Sequence, residues 1–186
     1  GHDFTIINGV GRIGWMTGGN AARWKDEDMA DTFAARAVSF IERSAGAPFF
    51  LYLATHGIHV PRVPHPRFAG RSAGGTRGDA IEELDDLVAK VLATLDRLKL
   101  AENTLVIFTS DNGALAPGPD GAGSNAPLRA AKGTTWEGGQ RVPCLVRWPE
   151  RIAPGTRVTE MTSALDLLPT LGRLTGAPVP VDRRLD

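Results

Sequence analysis

Apolar positions along this chain change their period several times, and each change marks a predicted element. In "KDEDMADTFAARAVSFIERSAG", Met29, Phe33, Ala37, Phe40 and Ile41 fall on one helical face, with acids near the start and Gly46 just past the end. "APFFLYLATH" follows with a continuous apolar run, Phe49 to Leu53, after a proline, which predicts a strand covered on both sides. Pro61, Pro64 and Pro66 then forbid regular structure. From Asp79 to Leu98, Ile81, Leu84, Leu87, Val88, Val91, Leu92, Leu95 and Leu98 recur at threes and fours, predicting a long amphipathic helix whose charged face carries Glu82, Glu83, Asp86, Lys90 and Arg97. Two further strands are expected at Leu105 to Thr109 and at Val142 to Trp148. A last helix in "SALDLLPTLGRLTG" takes Asp166 as N-cap, with Pro169 in its first turn, where a missing N–H costs little. Residues 1–25 hold no period and are expected to be an irregular connecting segment. Strands alternating with helices predict an α/β fold with a mainly parallel sheet flanked by helices.

Composition narrows the function classes. The 186 residues and 42% hydrophobic content suit one domain able to bury a core. Lys plus Arg number 21 and Asp plus Glu number 21, which removes the electrostatic argument for a nucleic-acid partner. No run approaches the ~20 apolar residues of a membrane helix. Cys144, the single cysteine, has no internal disulfide partner, and its apolar surroundings in "PCLVRW" predict a buried structural thiol. Trp136 and Trp148 are read as packing, and Glu137 with Arg141 as a weak supporting pair.

In open α/β sheets, ligands bind beyond the carboxyl ends of strands. Two such places carry polar groups: Thr55, His56 and His59 after the first strand, and Ser110, Asp111 and Asn112 after the second. Asp111 and Asn112 place a carboxylate and an amide oxygen side by side, which suits a hard cation but leaves most of its six to eight oxygen ligands unsupplied; "SDNG" is equally the composition of a turn. His56 and His59 are candidates for metal ligation or acid–base work, as well as being ordinary surface histidines, in a loop stiffened by prolines. His65, further along, is a weaker candidate. Lys132 stands among Gly133, Thr134, Thr135, Gly138 and Gly139, where the backbone can approach a ligand and an ammonium can meet an anion. As an isolated feature it is also what a solvated surface lysine looks like.

Together and in this order, "FFLYLATHGIHVP", "VIFTSDNG" and "LRAAKGTTWEGGQRVP" resemble the sulfatase family, formylglycine-dependent hydrolases of the alkaline-phosphatase superfamily, and arylsulfatases in particular. The resemblance implies an alkaline-phosphatase/sulfatase-like fold and cleavage of a sulfate ester to alcohol and sulfate. By position it implies Asp111 and Asn112 as calcium ligands, His59 as substrate-binding group and acid to the leaving alcohol, Lys132 as contact to a sulfate oxygen, and His56 as a further substrate-binding residue. It also implies a compartment outside the cytoplasm. The C/S-x-P/A-x-R motif that yields the formylglycine does not occur here: in "CLVR", Arg147 lies three residues after Cys144 and position 146 is Val. The expectation is therefore that residues 1–186 are the downstream part of a single catalytic domain, inactive alone and exposing apolar sheet surface. The alternatives are a phosphatase or phosphonate monoesterase of the same superfamily, and a non-catalytic module that retains the fold.

Overall fold

Helix α1, Met29–Ser44, and helix α2, Gly75–Arg97, form the packing centre of the chain. Alanines make the contact close: α1 buries Ala30, Ala34, Ala37 and Ile41, a stripe at spacings of four, three and four. That face is turned slightly from the expected one, because small residues let the helices approach while Phe33 and Phe40 flank the seam half-buried. Ile41 and Leu95 meet in the deepest part of the core with Ala101. Losing such a side chain to alanine costs about 2–5 kcal/mol. Helix α2 starts at Gly75, four residues before the expected start, and Glu83 on its predicted charged face is buried.

The computed structural model describes residues 24–116, 118 and 123–179, and the backbone of residues 6–7 and 10–11. Those four residues pair as antiparallel strands β1, Ile6–Ile7, and β2, Val10–Gly11; the rest of the expected connecting segment up to residue 23 lies outside the described residues. Strand β3, Val106–Thr109, pairs antiparallel with β4, Cys144–Arg147, from Val106↔Arg147 to Thr109↔Cys144. Both strands were expected; no parallel ladder occurs among the described residues, since the period of a strand does not encode the direction of its partner.

Three expectations about burial are corrected. Phe49 to Leu53 runs as unpaired chain, with Leu51 and Leu53 turned into the core while Phe50 (72%) and Tyr52 (82%) are exposed. Cys144 is exposed, as are Leu145 and Val146, whose side chains leave opposite faces of β4. Trp136 is exposed too, its ring covered by the Arg129 guanidinium at 3.5 Å. In each case the apolar character is real but no described layer covers that face.

Residues 153–186 form a separate compact unit, described to residue 179. Here Ser163 and Asp166 make a capping box: the Ser163 hydroxyl accepts from Leu165 N at 3.2 Å and the Asp166 carboxylate from Ser163 N at 2.6 Å. Asp166 thus occupies the N-cap position of α3, Leu167–Thr175, but its carboxylate bonds backward rather than to the helix it precedes. Gly176 ends α3 in the left-handed region.

Candidate functional site

The two expected histidines sit at the corners of one turn. His59 N donates to His56 O at 3.1 Å, closing a four-residue turn through Gly57 and Ile58. Gly57 allows this turn to seat on α2: a Cβ there would come within 3.1 Å of Leu84 Cδ1. Ile58 takes φ +55°, a conformation costly for a β-branched residue and held by the contacts on either side. His59 is exposed, and its Nδ1 lies 2.6 Å from Val60 O. A carbonyl oxygen can only accept, so Nδ1 carries a proton and Nε2 is the ring nitrogen left for a ligand.

His56 differs. It is half-buried against Phe33, with ring centroids 6.2 Å apart, and its Nδ1 is buried without a hydrogen-bond partner among the described residues. Burial is the main influence on it and pushes its pKa down from 6.5, against the pull of Asp26 and with the help of His59. With Glu83, Leu84 and Leu87 it lines a cavity of about 10 Å³, room for one water at most. The ring packs beneath the turn, against Phe33.

The second group forms around the chain that leaves β3. Ser110 Oγ donates to Asn112 O at 2.8 Å, and Gly113 N donates to Gly139 O at 2.9 Å. Lys132 N donates to Ala114 O at 3.0 Å, two residues past Asn112. Asn125 locks the same crossing, its Oδ1 accepting from Ala114 N and its Nδ2 donating to Ala114 O, both at 2.8 Å. Close backbone contact requires the glycines: a Cβ on Gly113 would lie 1.9 Å from Gly138 O, and one on Gly138 would lie 2.2 Å from Ala130 O.

This frame ties the backbone of Lys132 to Ala114, two residues past Asn112. Asp111 is exposed, and neither the Asp111 nor the Asn112 side chain is hydrogen-bonded among the described residues, so both oxygens are available to a cation. No group of three acidic, histidine or cysteine side chains suited to a metal occurs among the described residues. His59 and His56 make no described hydrogen bond or ion pair to Asp111, Asn112 or Lys132; His56 packs on Phe33 of α1, and Gly57 of their turn lies against Leu84 of α2. Sequence reasoning missed Asn125, whose only signal is an amide in a Pro-containing turn. It also missed Asp79 and Glu83, which hold the histidine loop and read as ordinary charged helix positions.

The ordered segments that present these groups match a known sequence pattern. The sulfatase profile covers residues 6–177. The chain belongs to the sulfatase family. It is 46% identical to an N-acetylgalactosamine-6-O-sulfatase of Bacteroides thetaiotaomicron across the whole chain, and 48% identical over 85% of the chain to the steryl-sulfatase of Rattus norvegicus. It spans 38% and 28% of the lengths of those two relatives. A solved structure tied by its description to glycosaminoglycan metabolism by Bacteroides thetaiotaomicron superposes with a TM-score of 0.82 over 96% of this chain and 39% of its own, at 46% identity. The PsFucS1 sulfatase from Pseudoalteromonas superposes with a TM-score of 0.80 over 86% of this chain and 33% of its own, at 34% identity. The fold is therefore that of the sulfatases, of which this chain carries an α1–α2 layer and the β3–β4 ladder.

Proposed function

We propose that residues 1–186 are the downstream part of one sulfatase catalytic domain, and that the whole enzyme hydrolyses a sulfate ester to an alcohol and sulfate. The observation that supports this reading is the Lys132 N to Ala114 O bond, which ties the main chain of the lysine loop to the segment that follows Asp111 and Asn112. A cation site and an anion site sharing one rim are what a bound oxyanion coordinated to a metal requires.

The oxygen donors fit a calcium ion. Asp111 and Asn112 would hold it through one carboxylate and one amide oxygen, and its further ligands and the formylglycine nucleophile would come from parts of the enzyme outside this sequence. Such an ion, when bound, supplies fixed positive charge that orients the sulfate. Lys132 offsets negative charge on the sulfuryl oxygens as it builds in the transition state. His59 binds the ester through Nε2 and donates a proton from that atom to the departing alcohol oxygen, with Nδ1 anchored on Val60 O. His56, half-buried and with its pKa lowered by burial, sustains the turn. The enzyme is expected to work outside the cytoplasm.

In the full-length enzyme, Lys132→Ala is expected to lower turnover of an aryl sulfate by at least ~10²-fold. Turnover equal to that of the unchanged enzyme would overturn the assignment.

A further inference from the structure

The histidine loop has no regular structure of its own, yet one stripe of α2 binds it along its length. Asp79, Glu83, Asp86 and Lys90 follow each other at spacings of four, three and four, so they share a face. Asp79 accepts from the N–H groups of Gly70, Arg71 and Ser72 at 2.8, 3.0 and 2.8 Å. Glu83 Oε1 accepts from His65 N at 2.9 Å. Asp86 accepts from Arg67 at 3.2 Å, and Lys90 joins Asp86 at 2.8 Å.

Glu83 is the exceptional member. It is 8% exposed, a carboxylate in the wall of the core, where an acid is costly unless it does something an apolar residue does not. Its one described hydrogen bond goes to the loop backbone six residues from His59, and it shares the small cavity with His56 at the other corner of the histidine turn. The neighbouring Leu84 is the residue on which Gly57 rests. Loop and turn are therefore fastened at adjacent positions of the same helix.

We propose that Glu83 is a positioning residue for the reaction: by accepting the His65 N–H from within the core wall, it fixes the loop that presents His59 Nε2 to the leaving oxygen. This rests on His59 being the group that protonates the alcohol. A displaced acid harms a substrate in proportion to its need for protonation, so the defect shows as selectivity between leaving groups. Simple destabilisation lowers the amount of active enzyme and reduces turnover of every substrate alike.

The test uses the full-length enzyme with 4-nitrophenyl sulfate, whose leaving group needs little protonation, and phenyl sulfate, whose leaving group needs more. Glu83→Ala is expected to lower kcat on phenyl sulfate about tenfold more than on 4-nitrophenyl sulfate, with KM changed by no more than about twofold. Glu83→Gln keeps an acceptor oxygen for His65 N–H and is expected to restore the ratio of the two kcat values to within about threefold of the unchanged enzyme. Glu83→Met fills the same volume without an acceptor, so it shows the alanine pattern even where Glu83→Ala fails to fold. Equal losses on both substrates for Glu83→Met, or a glutamine variant as selective as the methionine one, overturn the inference. His59→Ala, run in parallel, separates the two ideas: if it too loses both activities equally, the role of His59 falls and the inference with it, whereas a selective His59→Ala beside an unselective Glu83→Met overturns the inference alone.

Discussion

The two groups of candidate residues are held by different physical means. Around Lys132 the backbone holds itself: Gly113, Ala114, Arg129, Lys132, Gly138 and Gly139 exchange main-chain hydrogen bonds, and glycine is required because carbonyl oxygens occupy the space of a Cβ. Around His59 side chains hold the backbone, with the carboxylates of Asp79 and Glu83 taking four loop N–H groups and Arg67 clasping Asp31 and Asp86. The first kind of frame is sensitive to shape and indifferent to pH and salt. The second answers to charge.

The sharpest way to break the Lys132 frame is to add one methyl group. In Gly138→Ala the new Cβ meets Ala130 O at 2.2 Å, and a carbonyl in a tied backbone cannot swing aside as a side-chain tip can. A stability loss of about 1–3 kcal/mol is expected from urea unfolding, unchanged between low and high salt. An alanine variant as stable as the parent would mean that this backbone is looser than its contacts indicate.

On the histidine side the expected lever is pH. Burial lowers the pKa of His56 below 6.5, so the folded state takes up its proton later than the unfolded chain. Its contribution to stability is complete above about 6.5 and is lost as pH falls from there toward the folded value, by at most about 1.4 kcal/mol per pH unit. Glu83, raised by burial, has the opposite sign: its contribution is complete below 4.5 and is lost as pH rises through its folded value. The difference in Tm between the parent and His56→Phe isolates the histidine, and between pH 7.5 and 5.5 the parent should fall relative to the variant. Parallel curves would contradict the burial argument.

The ion cluster should matter least. Arg67 bonds Asp31 through both Nη atoms, which lowers the pKa of Asp31, and Lys90 joins Asp31 at 2.9 Å, but these groups are over a third exposed. Arg67→Met is expected to cost less than about 1 kcal/mol, and less still in 1 M salt. A larger, salt-independent loss would show that Arg67 acts through its packing on Phe68, whose ring centre lies 4.5 Å from its guanidinium.

This contrast also explains what could be read before any coordinates. Glycines around Lys132 announce a tight frame because the need for glycine is local, and Asp111 followed by Asn112 after an apolar run marks a strand end by composition alone. The amphipathic period of α2 is equally plain, and both helices form, α2 four residues longer at its start than its period predicts. That period says that Asp79 and Glu83 are polar, not that a proline-rich loop without any period will bury them. Phe50, Tyr52, Cys144 and Leu145 failed in the reverse sense: an apolar run implies that something covers it, but the covering layer is no property of the run. The direction of β4 against β3 was hidden for the same reason, since pairing belongs to two segments at once.

The central claim is that His59, Lys132 and the Asp111–Asn112 pair serve one oxyanion, with the Lys132 backbone bonded to Ala114 just past that pair. A crystal structure of the full-length enzyme with calcium and sulfate tests it most directly. The account predicts His59 Nε2 and Lys132 Nζ both within about 3.2 Å of oxygens on a single sulfate, with Asp111 and Asn112 on the calcium beside it. Side chains of His59 and Lys132 directed to separate faces, with sulfate bound by one and not the other, would contradict it.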